Sequence, residues 1–353
     1  MANKENLNRT IVYAPNIHIG GGFVLLKAML ESWPKINNLI LFVDERVSSN
    51  LRVECFPEVY FVKATLIDRF RNEILLAKIA QQNDVVFCFH SLPPLFHRSG
   101  KIIVYHQNAL LLKSNILFGY KFSTIARIYC ERLVAYILSH RVSEYIVQTS
   151  NMADNVIKLY ESAFFKRKTP LKVSVVPFAS NFNNQTKSPK KKWDFIYVAD
   201  GLNHKNHNRL LDAWLLLAND GIKPSLVLTI PSHCTKLVNK INILKTKGVN
   251  IFNIGPQPHE KLQKIYSQTR ALVYPSLIES FGLPLIEASM LNLNIISSEL
   301  DYVYDVCRPT LTFDPFSINS IARSIKKYLG QLGDLEKILT PVQFSQIMSK
   351  NSL

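Results

Sequence analysis

Short apolar runs that do not alternate with polar residues are the feature that most restricts the fold of this 353-residue chain. They lie at residues 10–14, 39–43, 85–89, 102–105, 145–148 and 173–176 in the first half, and at 195–198, 226–230, 251–254, 272–274 and 295–298 in the second. Because a strand that is buried on both faces carries apolar side chains on both, each run predicts a parallel strand. Amphipathic stretches separate the runs. The pattern predicts an α/β fold with two doubly wound, Rossmann-like domains.

A polar segment between the two sets of strands predicts the domain boundary. Residues 181–192 read NFNNQTKSPKKK, which is the composition of an exposed linker. We expect a boundary near residue 185, with a first domain at 1–185, a second at 186–330 and a helical tail at 331–353. Helices are predicted at 23–32, at 318–329 and along the apolar stripe of Leu210, Leu211, Trp214 and Leu217.

The cysteines and the hydropathy of the chain bear on its compartment. The five cysteines are scattered and form no Cys-x-x-Cys pair, which favours a reducing compartment and argues against structural zinc. The first ten residues are polar, and no stretch of about 18 residues is both uncharged and mainly apolar. We therefore expect a cytoplasmic protein without a signal peptide or a spanning helix.

The positive charge of the chain is concentrated in its first half. Net charge is +16, and residues 1–192 carry 26 Lys and Arg against 13 Asp and Glu, whereas residues 193–353 carry 16 against 13. A one-sided basic surface suits a polyanionic partner, either nucleic acid or the anionic face of a membrane. An ordinary solvated basic surface explains the charge equally well.

The segment at residues 274–288, YPSLIESFGLPLIEA, carries the strongest functional signal. It begins at the carboxyl end of a predicted strand and enters a helix near Pro284, a residue suited to a first helical turn. Ligands of open parallel sheets bind beyond these strand ends. We expect the backbone N–H groups of Phe281, Gly282 and Leu283, aided by the helix dipole, to hold a diphosphate.

Two carboxylates flank this turn. Glu279 precedes it and Glu287 lies in the helix, so both can face one ligand. Carboxylates are poor partners for phosphate but good acceptors for sugar hydroxyls. We expect Glu287 to accept from a ribose and Glu279 from the transferred sugar. Two ordinary acids at a helix N-terminus are the alternative, which the complete fifteen-residue string makes less favourable.

This string resembles the family 4 retaining glycosyltransferases of the GT-B fold, of the type that builds bacterial lipopolysaccharide or polysaccharide. Glu279 and Glu287 reproduce the Glu-x7-Glu signature of that family. The resemblance extends to residues 198–206, where Lys205, followed by Asn206, is implied to neutralise the donor diphosphate. A UDP- or GDP-sugar donor and retention of the anomeric configuration are also implied.

The chain departs from the family pattern at two places. Ala199 and Asp200 stand where many relatives carry an arginine or a serine, which leaves Lys205 as the one strong cation expected on the phosphates. Asn292 and Asn294 replace a usual glycine and proline after the signature. Because Asn tolerates the left-handed conformation at a helix end, we expect the turn to survive.

A run of glycines follows the first predicted strand. Gly20, Gly21 and Gly22 let the backbone approach a ligand closely. As a dinucleotide fingerprint the segment fails, since Leu25 occupies the place of the third glycine. The family resemblance implies instead that this loop lies over the donor phosphates and the reacting sugar.

Two further strand ends complete the predicted cleft. His106 follows a first-half strand, where the family often places a histidine facing the sugar, and it could orient a hydroxyl or shuttle a proton. A structural role is equally compatible with its position, and His18, His90 and His204 are rival candidates. By analogy with the family, the turn at Gly255 would read the nucleotide base.

The family resemblance that these residues carry implies a hexosyltransferase that moves a hexose-type sugar from a nucleotide diphosphate sugar to a glycan acceptor, which we expect to be lipid-linked. There is no Gly-x-Ser-x-Gly elbow and no Asp-x-Asp motif, so we expect no cofactor or metal and catalysis by positioning and leaving-group stabilisation. The predicted catalytic residues are His106 and Glu279. The predicted donor-binding residues are Gly21, Gly22, Lys205, Asn206, Gly255, Ser280, Phe281, Gly282, Leu283 and Glu287.

A basic and aromatic stretch at residues 111–141 bears on the acceptor. It carries five Lys and Arg residues against one acid, Glu131, interleaved with aromatic side chains. This combination suits the interface of an anionic bilayer and predicts a peripheral protein on the inner face of the cell membrane. A helix pair with a basic outer face is an equally good interpretation.

Two other classes of protein remain open at this point. A nucleotide-sugar epimerase of the same fold would share the donor site and need no acceptor surface. A basic nucleic-acid-binding protein would explain the charge, but the chain has no recognised binding motif, and we expect no nucleic-acid partner. If the site is correct, Lys205→Ala and Glu287→Ala should each abolish transfer while leaving the fold intact.

Overall fold

The first half of the chain forms one parallel sheet with its helices. The computed structural model describes residues 9–33, 38–96, 99–112, 120–161, 170–179 and 190–331. The first-half strands are β1 (Thr10–Ala14), β2 (Leu39–Asp44), β3 (Glu58–Val62), β4 (Val85–Cys88), β5 (Lys101–Tyr105), β6 (Glu144–Val147) and β7 (Val173–Val175). The helices are α1 (Gly20–Glu31), α2 (Leu66–Ile79), α3 (Phe122–Leu138) and α4 (Ser150–Tyr160). The strand order is β3-β2-β1-β4-β5-β6-β7.

The second half forms another parallel sheet. Its strands are β8 (Trp193–Tyr197), β9 (Leu226–Leu228), β10 (Ile251–Asn253), β11 (Thr269–Tyr274), β12 (Asn294–Ser298) and β13 (Leu311–Phe313). Its helices are α5 (His207–Asn219), α6 (Thr235–Thr246), α7 (His259–Ser267), α8 (Leu283–Met290), α9 (Asp301–Tyr304) and α10 (Ile318–Tyr328). The strand order is β10-β9-β8-β11-β12-β13.

Both sheets are wound in the same way, which confirms the predicted fold. The first strand of each half is central, and the order reverses between β1 and β4 and between β8 and β11. Every pair of neighbouring strands is parallel, so the carboxyl ends of each sheet share one edge. Ligands of such sheets bind outside that edge, at the reversal of strand order.

The apolar runs identified the strands of the sheet interiors but missed two edge strands. β3 is only partly buried along most of its length, and β13 has three residues. A strand at an edge packs fewer of its side chains, so its sequence need not be continuously apolar. Among the helices, α1 begins at Gly20, three residues before its predicted start. The predicted apolar stripe of α5 is buried.

The two domains have separate cores that touch at the cleft. The buried cluster of the second domain, with the apolar side chains packed on it, uses only residues between Trp193 and Leu329 within the described chain. In contrast, the two clusters that flank the first sheet each include a residue from the second domain, Ile278 in one and Leu283 in the other. The segment that contains the carboxylate signature therefore packs directly against the first domain.

The segment predicted as a linker lies between the last strand of the first sheet and the first strand of the second. The first sheet ends at Val175 and the second begins at Trp193. The boundary predicted near residue 185 and residues 332–353 of the predicted tail lie outside the described residues. The exact boundary and the tail stay predictions.

Candidate active site

The carboxylate signature forms a strand, a turn and a helix at the carboxyl edge of the second sheet. β11 ends at Tyr274, and α8 begins at Leu283 with Pro284 in its first turn. Gly282 caps the helix with a φ of 72°. A Cβ atom at Gly282 would lie 3.1 Å from Cδ1 of Leu285, so glycine suits this position both by conformation and by space.

The turn before α8 presents unpaired backbone donors. Within the described part of the chain, the N–H groups of Ser280, Phe281, Gly282 and Leu283 donate no hydrogen bond. Gly282 itself is buried, so these donors lie in a sheltered turn. Successive free N–H groups at a helix N-terminus, with the partial positive charge of the helix dipole, form a binding site for an anion such as phosphate.

A buried ion pair stands beside this turn. Lys205 Nζ lies 2.7 Å from Oε1 and 2.9 Å from Oε2 of Glu279, and the hydroxyl of Tyr274 donates to Oε1 at 2.8 Å. The Lys205 side chain is 16% exposed and that of Glu279 is 9% exposed. Burial is the largest single influence and would raise the pKa of Glu279, but the Lys205 ammonium and the hydrogen bonds to the carboxylate together outweigh it, and the pKa lies below its ordinary value. The Glu279 carboxyl is therefore ionised at neutral pH.

Asn206 holds Lys205 against the signature. Asn206 adopts the left-handed conformation, with φ 59°, and its Nδ2 donates to the carbonyl oxygens of Pro275 at 3.1 Å and Pro315 at 2.8 Å. The hydroxyl of Tyr197 donates to the Lys205 carbonyl at 2.8 Å. Because the Asn206 amide is 4% exposed and engaged in these bonds, the geometry gives it the role of positioning Lys205.

Glu287 occupies a second buried pocket on α8. Its Oε2 accepts a hydrogen bond of 2.9 Å from the hydroxyl of Tyr266, and its Oε1 lies 3.7 Å from Nδ1 of His259. Burial raises the pKa of Glu287 to about 7, although the Tyr266 hydroxyl opposes that shift. His259 opens α7, directly after the turn in which Gly255 has a φ of 68°. The positions predicted for a ribose and a base are therefore neighbours.

The glycine loop of the first domain reaches the signature across the cleft. Gly20 has a φ of 70° at the start of α1. A Cβ atom at Gly21 would lie 3.0 Å from Cδ1 of Leu283, and one at Gly22 would lie 3.3 Å from Oε1 of Gln107. The structure thus brings the loop against the first residue of α8, beside the unpaired N–H groups. A larger residue at position 21 would have to displace the Leu283 side chain.

His106 lies apart from these residues. It is fully buried, its ring centroid is 6.4 Å from that of Tyr145 and 6.3 Å from that of Tyr160, and neither ring nitrogen has a hydrogen-bond partner in the described chain. Burial lowers its pKa to about 3, so the ring is neutral. The side chain of the neighbouring Gln107, which sequence reasoning passed over, lies where a Cβ atom at Gly22 would crowd it. The catalytic role of His106 stays a prediction.

The rival histidines occupy different surroundings. His204 directly precedes Lys205, and its Nδ1 lies 2.5 Å from the hydroxyl of Tyr120. This contact joins the two domains. The ring of His90 contacts the Tyr13 carbonyl at 3.2 Å inside the first domain. His18, in the glycine loop, lies 3.9 Å from Asp44. Of the three, only His204 adjoins the Lys205–Glu279 pair.

Sequence reasoning missed the tyrosines that hold the charged residues. Tyr266 lies on α7, Tyr274 ends β11 and Tyr120 precedes α3, and their spacing from their partners follows no helix or strand period. Tyr274 lies within the signature segment itself, whereas no local signal could have identified Tyr266 and Tyr120, because their contacts exist only after distant elements have packed. The left-handed conformation expected at Asn292 is confirmed, with a φ of 53°. In the described residues, no cluster of three His, Cys, Asp or Glu side chains could hold a metal ion.

Comparison with known proteins gives the second domain a family. Residues 179–337 match the family model for glycosyl transferases group 1. The O-antigen chain mannosyltransferase B of Escherichia coli is 32% identical over 77 residues, which are 22% of this chain and only 20% of that enzyme's length.

Two solved structures share the arrangement of both domains. The sucrose-phosphate synthase of Thermosynechococcus elongatus superposes with a TM-score of 0.68 at 13% identity, covering 92% of this chain and 90% of that one. The lipopolysaccharide outer core galactosyltransferase WaaB superposes with a TM-score of 0.58 at 15% identity, covering 93% and 92%. Residues 179–337 are thus a glycosyl transferases group 1 domain, within a chain that has the GT-B fold of two facing Rossmann-like domains.

Proposed function

We propose that this protein is a hexosyltransferase that moves a hexose-type sugar from a nucleotide diphosphate sugar to a glycan acceptor with retention of configuration. One observation carries the proposal: four successive unpaired N–H groups, at Ser280 to Leu283, adjoin the Lys205 ammonium at the edge of the cleft. This arrangement suits a pyrophosphate, which requires donors and positive charge together. The group 1 family match over the same residues supports it.

The donor would lie across the second domain. Its pyrophosphate accepts from the N–H groups of the turn and from Lys205, while Glu287 accepts from ribose hydroxyls and the turn at Gly255 contacts the base. Glu279 then accepts from hydroxyls of the transferred sugar. Gly21 and Gly22 would cover the phosphates from the first domain, since a side chain at position 21 would crowd Leu283 and one at position 22 would crowd Gln107.

The free protein holds Lys205 on Glu279, and the donor would change that pairing. A pyrophosphate oxygen competes with the carboxylate for the ammonium, which has three N–H donors and can serve both. A carboxylate oxygen of Glu279 that no longer accepts from Lys205 is then free to accept from a sugar hydroxyl. Without a donor, Lys205 and Glu279 compensate each other's charge in the cleft. When the donor binds, its phosphate takes over part of the contact with Lys205, and its sugar takes over part of the contact with Glu279.

Catalysis would rest on leaving-group stabilisation. As the bond between the anomeric carbon and the phosphate oxygen breaks, negative charge grows on the nucleotide diphosphate, where the N–H groups and Lys205 already point. The acceptor hydroxyl attacks from the face that the nucleotide leaves, and its proton passes to the departing phosphate. We also propose that His106 orients a hydroxyl near this centre. This role requires the His106 ring to reach the cleft. We propose that no metal is required.

We propose a lipid-linked glycan as acceptor and the cytoplasmic face of an anionic membrane as the place of action. The basic excess of residues 1–192 supports this, because that half supplies the acceptor side of the cleft. Two of the matched proteins bear names that refer to O-antigen and to lipopolysaccharide outer core. Within the described residues no helix is long and apolar enough to cross a bilayer.

A donor panel tests the proposal. The protein is incubated with radiolabelled UDP- and GDP-sugars in EDTA, first alone and then with a bacterial membrane extract, and the label is followed on nucleotide and lipid. We expect one donor to raise the melting temperature and to transfer its sugar to lipid. Lys205→Met should abolish both effects, whereas Lys245→Met, on exposed α6, should abolish neither.

The same assay separates the rival functions. Conversion of the sugar while it stays on the nucleotide would identify an epimerase of this fold. A protein that binds none of the donors but shifts an oligonucleotide at physiological salt would be a nucleic-acid-binding protein instead. Either result would overturn the transferase proposal.

A further inference from the structure

The first domain exposes large apolar side chains on two helices. At the start of α2, Leu66 is 83% and Ile67 is 69% exposed, and Phe122 at the start of α3 is 86% exposed. Farther along the same helices, Phe70 and Leu133 are also more than half exposed. Side chains this apolar in contact with water are unfavourable, and a contiguous set of them marks an interaction surface.

These side chains belong to one continuous surface. The ring of Phe70 on α2 contacts that of Phe96 edge to face, with centroids 5.3 Å apart. Arg141, just beyond α3, donates to the carbonyl of Leu95 at 2.9 Å. Arg69, in the first turn of α2, lies close enough to the middle of α3 to oppose the rise that burial causes in the pKa of Glu131. The turn at residues 95–96 therefore joins the exposed faces of α2 and α3.

The surface begins at the mouth of the cleft. α2 starts four residues after the carboxyl end of β3, so its first turn lies at the cleft edge of the sheet. Phe122 follows Tyr120 by two residues, and Tyr120 contacts His204 beside Lys205. The most exposed apolar residues thus stand at the ends of α2 and α3 that are nearest to the candidate active site.

Charge favours one class of partner. Exposed cations border the surface at Lys63, Arg71, Lys121 and Arg127. Arg127 has a loose contact of 3.8 Å with Glu131, and the other three have no ion pair in the described chain. Apolar side chains bordered by exposed cations match the interface of an anionic bilayer. The apolar side chains would enter the acyl region, and the cations would contact the headgroups.

We propose that α2, the 95–96 turn and α3 form a membrane-docking rim, defined by Leu66, Ile67, Phe70, Phe96, Phe122 and Leu133, that inserts into an anionic bilayer with the cleft mouth against the lipid surface. The rim explains how a glycan on a lipid reaches the active site, a consequence that rests on the proposed function. It also extends the predicted membrane contact beyond residues 111–141 to α2, which lies outside that stretch.

Vesicle binding tests the rim without any assay of transfer. The full chain is mixed with vesicles of phosphatidylglycerol and phosphatidylcholine, and with vesicles of phosphatidylcholine alone, and bound protein is measured by sedimentation. We expect Leu66→Ser/Ile67→Ser/Phe122→Ser to weaken binding to the anionic vesicles by roughly tenfold or more. Ile243→Ser is the matched control, because Ile243 is 58% exposed on α6 of the second domain, and it should bind as the wild type does.

Two further variants separate insertion from adsorption. Vesicles with brominated acyl chains should quench the tryptophan fluorescence of Phe122→Trp. The quenching of Ile243→Trp by the same vesicles should not exceed that of the wild type. Lys63→Gln/Arg71→Gln/Lys121→Gln should lower binding at low salt and reduce its dependence on salt. Melting curves confirm that each variant is folded.

The outcomes are distinguishable from those of the proposed function. Wild-type binding by the triple serine variant, or no binding by the wild type, would overturn the rim. Concentration-dependent dimers that the triple variant abolishes, without vesicle binding, would assign the surface to a second copy and also overturn it. A protein that docks on vesicles but neither binds nor uses any donor would leave the rim standing and refute the transferase.

Discussion

Lys205 and Glu279 compensate each other's charge beside the signature turn. They form a bidentate pair at 2.7 and 2.9 Å in a largely buried setting. Removing one partner of such a pair leaves the other charge uncompensated, which costs more than the net value of the pair. The residue that is proposed to bind phosphate therefore also stabilises the second domain.

We predict that Lys205→Ala lowers the free energy of unfolding by about 3 kcal/mol, because it leaves the Glu279 carboxylate buried alone. This replaces the expectation from sequence that the variant would leave the fold unaffected. Urea unfolding at pH 7 measures the change. The double variant Lys205→Met/Glu279→Gln removes both charges and should recover part of the lost stability. Equal stability of Lys205→Ala and the wild type would show that the pair is not buried in solution.

Glu287 should make stability fall as pH rises from about 4.5 to about 7. Its pKa is raised to about 7 in the folded chain, so between these values the folded state holds a proton that the unfolded state has lost. The difference corresponds to about 3 kcal/mol. Urea unfolding between pH 5 and pH 8 should show this slope in the wild type and a shallower one in Glu287→Gln. An identical slope in both would exclude Glu287 as its source.

At the scale of elements, the turn into α8 combines a left-handed glycine with four unpaired donors. Gly282→Ala should lower stability by about 1 to 2 kcal/mol, since any side chain is strained at a φ of 72°. The new Cβ, 3.1 Å from Leu285, should also shift the turn and lower donor affinity. Isothermal titration with the donor found in the panel measures the affinity.

Gly221→Ala is the matched control for that element. Gly221 has a φ of 79° after α5, and a Cβ atom there would meet nothing within 4 Å. It should lose similar stability and keep donor affinity. Equal losses of affinity in the two variants would mean that strain in the domain, and not the shape of the turn, weakens binding.

At the scale of the whole molecule, the two domains depend on each other unequally. The second-domain core uses no first-domain side chain within the described residues, whereas the first-domain clusters include Ile278 and Leu283. We predict that residues 179–353 fold alone with a cooperative thermal transition and bind the donor weakly, because the glycine loop is missing. Circular dichroism and titration measure both, and a non-cooperative transition would contradict the prediction.

The sequence by itself determined the features that depend on neighbouring residues. Apolar runs and helical spacing identified eleven strands of the two sheets and the winding of both domains, because periodicity records which faces of an element are buried. The turn between Glu279 and Glu287 and the left-handed Asn292 were also predictable, since backbone conformation there depends on the local residue types. β3 and β13 were not predicted, because these edge strands pack too few side chains to show a continuous apolar pattern.

Only the tertiary structure decided which side chains meet. Lys205 and Glu279 are 74 residues apart, and Tyr266 and Glu287 are 21 apart, so no local pattern relates them. The burial of His106 and the apolar surface shared by α2 and α3 likewise depend on how elements from distant parts of the chain stack. Local sequence selects each element, whereas contacts between elements arise from packing that involves the whole chain at once.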